Sequence, residues 1–173
     1  MRAVLVIALL GNHAHAEPEG EVHETATRDG AHATVETSMR MRSEGAAVGV
    51  GVAGTLVRGD YALSVGIMRW QTIDENGSLG SWEASVTGHR YLWLGPRARA
   101  YVLAGASYEL VERDDARLGR AGVRIGAGVS WKTAGNHRAS LELTLENKRW
   151  LDVPEGVTRN DEMQVVLMFG FTF

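Results

Sequence analysis

Apolar and polar positions alternate along most of this chain, and the alternation is cleanest from Met163 to Phe173. There Val165, Leu167, Phe169, Phe171 and Phe173 take every second place, with Gln164, Val166, Met168, Gly170 and Thr172 between them. A period of two is the mark of a strand whose two faces meet different surroundings. The bulky face stays bulky through Phe173. A strand of about 9–11 residues lying against lipid, with aromatic rings at the membrane interface, has this pattern.

The same period recurs upstream, each time closed by turn residues. Ala31 to Arg42 places Ala33, Val35, Met39 and Met41 on one face. Ala46 to Val57 does so with Val48, Val50, Val52 and Leu56, and Tyr61 to Thr72 with Tyr61, Leu63, Val65 and Ile67. Ser81 to Leu94 follows with Trp82, Ala84 and Val86, then Arg97 to Val111 with Ala100, Val102, Ala104, Ala106 and Tyr108. Leu118 to Trp131 and Arg138 to Arg149 complete the series before the last strand. Turns fall at Ser43-Glu44-Gly45, Arg58-Gly59-Asp60, Asp74 to Ser78, Gly95-Pro96, Arg113-Asp114-Asp115, Thr133-Ala134-Gly135 and Asp152 to Asp161.

Eight strands are therefore predicted, and an even count brings both ends of the barrel to one side. The predicted class is all-β, an eight-stranded antiparallel up-and-down transmembrane β-barrel over residues 31–173. Its connections near residues 58–60, 94–97 and 132–136 are expected to be short and on the side of the termini. The other four are expected to face the opposite side and to include the longer and more acidic ones. Tyr61, Trp93, Trp131, Phe171 and Phe173 form one expected aromatic girdle, and Trp82, Tyr108 and Trp150 the other. Arg90 disagrees: its parity turns it toward lipid, so either it snorkels to the interface or a bulge shifts the register there.

Composition changes this picture little. With 45% hydrophobic residues and a mean hydropathy of −0.13, the average alone suits a soluble chain, but a barrel with a polar lumen gives the same average. No run of about 18 apolar residues is present, so a spanning helix is excluded. Twenty-one glycines, many inside the strands, suit a small curved barrel with a crowded interior. The absence of cysteine removes thiolate metal sites, disulfides and a lipidated Cys. A net charge of −3 with no basic patch speaks against nucleic acid as a partner.

Met1-Arg2, the apolar run Ala3 to Leu10 and the small-residue site Ala14-His15-Ala16 have the order of a signal peptide over residues 1–16. A first strand or a core helix is the alternative. Residues 17–30 are polar and unpatterned, an expected periplasmic lead-in.

The inward faces carry the most specific expectation. Arg120 and Arg124 share one inward face, and Glu142, Glu146 and Lys148 share the next. Partners in an antiparallel hairpin have a constant number sum, and Arg124–Glu142 and Arg120–Glu146 share one. That sum centres the hairpin on Thr133, in the predicted turn. Both ion pairs are then satisfied in one register, and Glu36, Arg40, Glu83, Arg99 and Glu109 are candidates to extend the network. Charges in a narrow lumen are costly unless paired, and interdigitated they would plug an eight-stranded interior. The alternative is a solvated face of an open sheet.

Taken together, the leader, the eight alternating strands, the short turns and the closing Phe169, Phe171 and Phe173 resemble the small eight-stranded outer-membrane barrels of Gram-negative bacteria (the OmpA/OmpX-like superfamily). The resemblance covers nearly the whole chain after the leader and is architectural, with no motif that fixes a subfamily. It implies membrane insertion and no particular activity; with the leader, the expectation is an exported monomer of the outer membrane, in contact with outer-membrane lipids. It also implies that the barrel-assembly machinery reads the strand ending in Phe169, Phe171 and Phe173.

Candidate chemistry is sparse. Some barrels of this size modify lipid A, which requires a nucleophile and a base within hydrogen-bond reach. His137 and Ser140, three apart on a strand, fall on opposite faces; His89 shares its face with Ser85, Thr87 and Glu83. His23 and His32 are too far apart to suggest a metal site. No catalytic residue, cofactor or metal is therefore predicted. Arg58-Gly59-Asp60 spells an integrin-binding tripeptide but reads as turn chemistry. The predicted function is a non-enzymatic outer-membrane barrel with a plugged lumen, serving envelope structure or surface interaction. The alternatives are a lipid A-modifying enzyme, a narrow passive pore, or a soluble lipocalin-like barrel with its faces exchanged.

Overall fold

The computed structural model describes residues 29–42, 45–74, 77–93, 97–113, 116–133, 137–151 and 161–173. The expected signal peptide and all but the last two residues of the expected lead-in lie outside the described residues. Eight strands run in order: β1 Gly30–Arg42, β2 Gly45–Arg58, β3 Tyr61–Asp74, β4 Gly77–Trp93, β5 Ala98–Arg113, β6 Ala116–Lys132, β7 Arg138–Trp150 and β8 Asp161–Thr172. Each pairs antiparallel with its chain neighbour, and β8 returns to β1 to close the barrel. Closure removes the unpaired edges that an open sheet would expose.

The registers are continuous from end to end. Followed round the barrel from Gly30 through Val57, Ala62, His89, Leu103, Gly126, Thr144 and Val166, they return to β1 at Arg40, ten residues along. That stagger tilts the strands, typically by about 35–45° in closed barrels, and leaves an interior that side chains fill. Gly30 of the expected lead-in already pairs with Val57. The Asp29 carboxylate beside it accepts a hydrogen bond of 2.8 Å from the Gly59 amide.

Parity separates the two faces as the sequence pattern predicts. Val35, Val50, Leu63, Val86, Val102, Val123, Leu143 and Phe169 are all exposed on the outer wall. Between them along the strands, Arg40, Glu83, Glu109, Arg124, Glu146 and Lys148 are buried in the lumen. The polar-inside, apolar-outside arrangement inverts that of a lipocalin-like barrel. At the end where β1 begins and β8 finishes, Tyr61, Trp131 and Phe173 are exposed, with the Phe171 and Phe173 rings 5.0 Å apart.

Two expectations are corrected here. The connections away from the termini include the longest, 151–160, but the expected asymmetry stops there: β1–β2, β3–β4 and β5–β6 are joined by two residues each, fewer than β4–β5 and β6–β7 at the terminal end. The sequence suggested longer loops because the apolar alternation fades near Asp74 and Arg113. The backbone ladder continues past that point, since strand pairing requires only N–H and C=O groups. Trp150 is not part of an outer girdle. It shares the inward parity of Glu146 and Lys148, and the Arg120 guanidinium lies 4.9 Å from its ring.

Arg90 sits in unbroken register, opposite Tyr61 on one side and Val102 on the other, so no bulge displaces it. It is exposed on the outer wall, level with the terminal-end aromatics. At that same end Gly59 and Asp60 alone link β2 to β3, and Gly59 takes a φ of 57°, a left-handed conformation open to glycine.

Candidate functional site

The barrel interior holds a cluster of charged side chains toward the end away from the termini. Strand alternation delivers them: Arg40 from β1, Glu83 from β4, Glu109 from β5, Arg120 and Arg124 from β6, Glu146 and Lys148 from β7. Arg40 and Glu109 are 0% exposed, so water cannot screen them. Buried charges of this kind persist only where each is paired and hydrogen-bonded.

The pairing is shared rather than one-to-one. The Glu83 carboxylate accepts from Arg40, Arg124 and Lys148, and from the Trp70 indole N–H at 3.1 Å. Glu109 accepts from Arg40 at 2.9 Å, from Ser81 and from Lys148, and Arg120 lies 3.1 Å from it. Glu146 meets Arg124 at 3.1 Å and accepts from the Ser107 hydroxyl at 2.6 Å. Arg120 also donates to Glu162 at 2.6 Å, carrying the network to β8. Trp70, whose ring lies 3.8 Å from the Arg40 guanidinium, closes one side of the cluster.

This arrangement corrects the expected partners. The β6–β7 register pairs Arg124 with Glu146 and Arg120 with Trp150, not Arg124 with Glu142 and Arg120 with Glu146. The hairpin closes at Lys132 and Arg138, with the Thr133 amide donating to the His137 carbonyl at 3.0 Å, so its centre lies two residues beyond Thr133. Both registers keep the same residues inward, because they differ by an even shift, so facing alone could not choose between them. A volume signal could have: the observed register sets Gly122 opposite Lys148 and Gly128 opposite Glu142. A Cβ at Gly122 would lie 2.8 Å from the Lys148 stem.

Glu142 belongs to a second group nearer the terminal end. The Tyr101 hydroxyl donates to it at 2.8 Å, and His89 Nε2 lies 3.9 Å away with its ring edge-on to Tyr101. Of the expected extensions, Arg40, Glu83 and Glu109 join the main cluster. Arg99 lies buried near the β5 start, apart from it. Glu36 instead helps to line a cavity of about 10 Å³ that also meets Ser38 and the cluster residues Glu83 and Glu146, too small for a hydrated ion. Trp70 and the hydroxyls of Ser81 and Ser107 were missed by the sequence reading. Their inward parity was the available signal.

The candidate chemical groups stay apart. His137 packs outside the barrel, its ring centroid 5.7 Å from that of Phe171 and 5.5 Å from that of Phe173. Ser140 lies on the opposite face, opposite Gly170 and Ser130. His89 meets a carboxylate and a phenol ring, and among the described residues no hydroxyl nucleophile is hydrogen-bonded to it. No group of three or more His, Cys, Asp and Glu placed to hold a metal occurs among the described residues. Phe169 also lies on the outer wall, its ring 6.3 Å from Trp131.

A closed ring of eight antiparallel strands has counterparts among solved structures. The chain has the fold of the small outer-membrane barrels. It superposes on neisserial surface protein A with a TM-score of 0.62 at 11% identity, covering 82% of this chain and 94% of that one. The N-terminal barrel domain of Pseudomonas aeruginosa OprF gives 0.52 at 17% identity, over 82% and 97%. A major outer-membrane protein from Thermus thermophilus gives 0.53 at 11%, over 83% and 100%. No protein-family model matches the sequence, and no curated protein matches it. At these identities the likeness concerns the barrel, and the plug must be argued from this chain's own residues.

Proposed function

We propose that this protein is a monomeric, non-enzymatic outer-membrane barrel whose lumen is closed by its own ionic cluster, serving envelope structure or surface interaction. The supporting observation is the pairing of an apolar outer wall with a lumen filled by Arg40, Glu83, Glu109, Arg124, Glu146 and Lys148. A wall that exposes Val50, Leu56, Val65, Val123 and Ile125 needs lipid or detergent around it. A barrel in the outer membrane supplies both conditions, hydrocarbon outside and an ion-paired polar interior. The termini face the periplasm in this reading, and the paired β3–β4 and β5–β6 extensions project outward. During biogenesis the barrel-assembly machinery reads the strand that carries Phe169, Phe171 and Phe173.

The test has two parts. Fractionation with unheated and heated gel electrophoresis should place a heat-shifted band in the outer-membrane fraction; a soluble band without a shift sinks the membrane reading. Planar-bilayer recording of the purified barrel should then show no steady conductance. Steady ion-conducting openings would remove the plug, and an altered lipid A mass spectrum on expression would remove the non-enzymatic reading.

A further inference from the structure

A groove of about 320 Å³ runs along the outer wall near the terminal end, bordered by Tyr61, Arg90 and Val102 and crossing Gly88 and Ala104. The register explains its shape. Tyr61, Arg90 and Val102 stand side by side across β3, β4 and β5, and one outward step further along the strands Gly88 faces Ala104. Three large side chains thus frame one end of a shallow, open groove whose floor is nearly bare backbone.

Two features of this groove are unexplained by the barrel itself. A Cβ at Gly88 would meet only the Ala104 carbonyl oxygen, at 3.8 Å, so barrel packing does not require glycine there. Glycine also weakens a strand interior. Arg90, for its part, is exposed on an apolar wall, and among the described residues it has no ion pair or hydrogen bond of its side chain. By contrast Arg69, also on the outer wall, is paired with Glu112 at 3.0 Å. A cation facing lipid is tolerated near the interface when it reaches a polar group there.

We propose that this groove is a binding site for an anionic phospholipid of the periplasmic leaflet. The lipid phosphate sits on the Arg90 guanidinium, and one acyl chain lies over Gly88 and Ala104. The guanidinium fork matches phosphate oxygens, and the exposed Tyr61 beside it supplies an amphipathic ring at the headgroup level. On the neighbouring rim the exposed cations Arg58, Arg97 and Lys132 outnumber the exposed carboxylates Asp29 and Asp60, so with Arg90 the surroundings are net cationic. That sign selects an anionic headgroup over a zwitterionic one. The proposal rests on the membrane reading above.

The experiment is native mass spectrometry of the full barrel, released from detergent micelles after titration with phosphatidylglycerol or phosphatidylcholine. Wild type should retain phosphatidylglycerol preferentially. Arg90→Gln should weaken retention about tenfold, the loss expected for one charge-assisted contact. Gly88→Leu, which keeps every charge and fills the floor, should weaken it comparably, and Arg58→Gln should change it less than about twofold by the same reasoning. Wild-type retention in both groove variants overturns the proposal. So does an equal loss in Arg58→Gln, which would mean that diffuse rim charge holds the lipid. A heat-shift gel on each variant confirms a folded barrel. Absence of that shift in wild type itself would instead remove the membrane reading.

Discussion

Arg124 and Glu146 face each other across β6 and β7, with 3.1 Å between guanidinium and carboxylate. The same guanidinium reaches across the lumen to Glu83 on β4. One arginine thus ties β4, β6 and β7 together. A double-mutant cycle should give Arg124 a coupling of about 1–3 kcal/mol with Glu146, and a clearly smaller one with Glu142. Urea unfolding in micelles measures both. A larger coupling with Glu142 would falsify the observed register.

Glu83 is the acceptor for three cations and an indole N–H, all within the lumen. Glu83→Ala leaves Arg40, Arg124 and Lys148 short of countercharge, and breaking one partner of a buried network costs about 3–5 kcal/mol. The expected result is a lower unfolding midpoint, with intermittent conductance if Glu83 helps to close the lumen. Unchanged stability would mean that water or another carboxylate replaces Glu83 readily.

Glycines on the two faces should respond differently to one added methyl. At Gly49 a Cβ would lie 2.7 Å from the Trp70 ring, which stacks on Arg40, so Gly49→Ala presses directly on the plug. Overpacking of this kind costs about 1–3 kcal/mol. At Gly54 nothing lies within 4 Å, so Gly54→Ala should leave stability unchanged or slightly raised. Equal effects at the two positions would contradict the packing described.

Phe173 is 58% exposed and its amide donates to the Ala33 carbonyl at 2.9 Å, so its ring contributes little to the folded barrel while its backbone completes the seam. Phe173→Ala should therefore refold from urea into micelles much as wild type does, yet accumulate less in the outer membrane of cells. A parallel loss in both assays would make the ring a packing residue and not an assembly signal.

Much of this barrel was legible in the sequence because its physics is local. Side chains alternate on any extended strand, so the period of two placed Val50, Leu63 and Phe169 outside and Arg40, Glu83 and Lys148 inside before any contact was known. The inward parity of Trp150 was equally available, though its aromatic character suggested a girdle.

Which charges meet was a different matter. Parity allows any even shift, and the register that joins Arg124 to Glu146 is the one that also sets Lys148 against Gly122. The length of the hairpins beyond the apolar band was hidden for a related reason. Backbone pairing continues wherever two chains can hydrogen-bond, whatever their side chains are, as at Glu112 and Arg117. The convergence of Glu83 and Glu109 with Arg40 and Lys148 required closure itself, because only a closed barrel brings β1, β4, β5 and β7 around one axis. The sequence by itself determined the facing of each side chain. Tertiary structure decided the partners, since a local period carries no information about distances across a lumen.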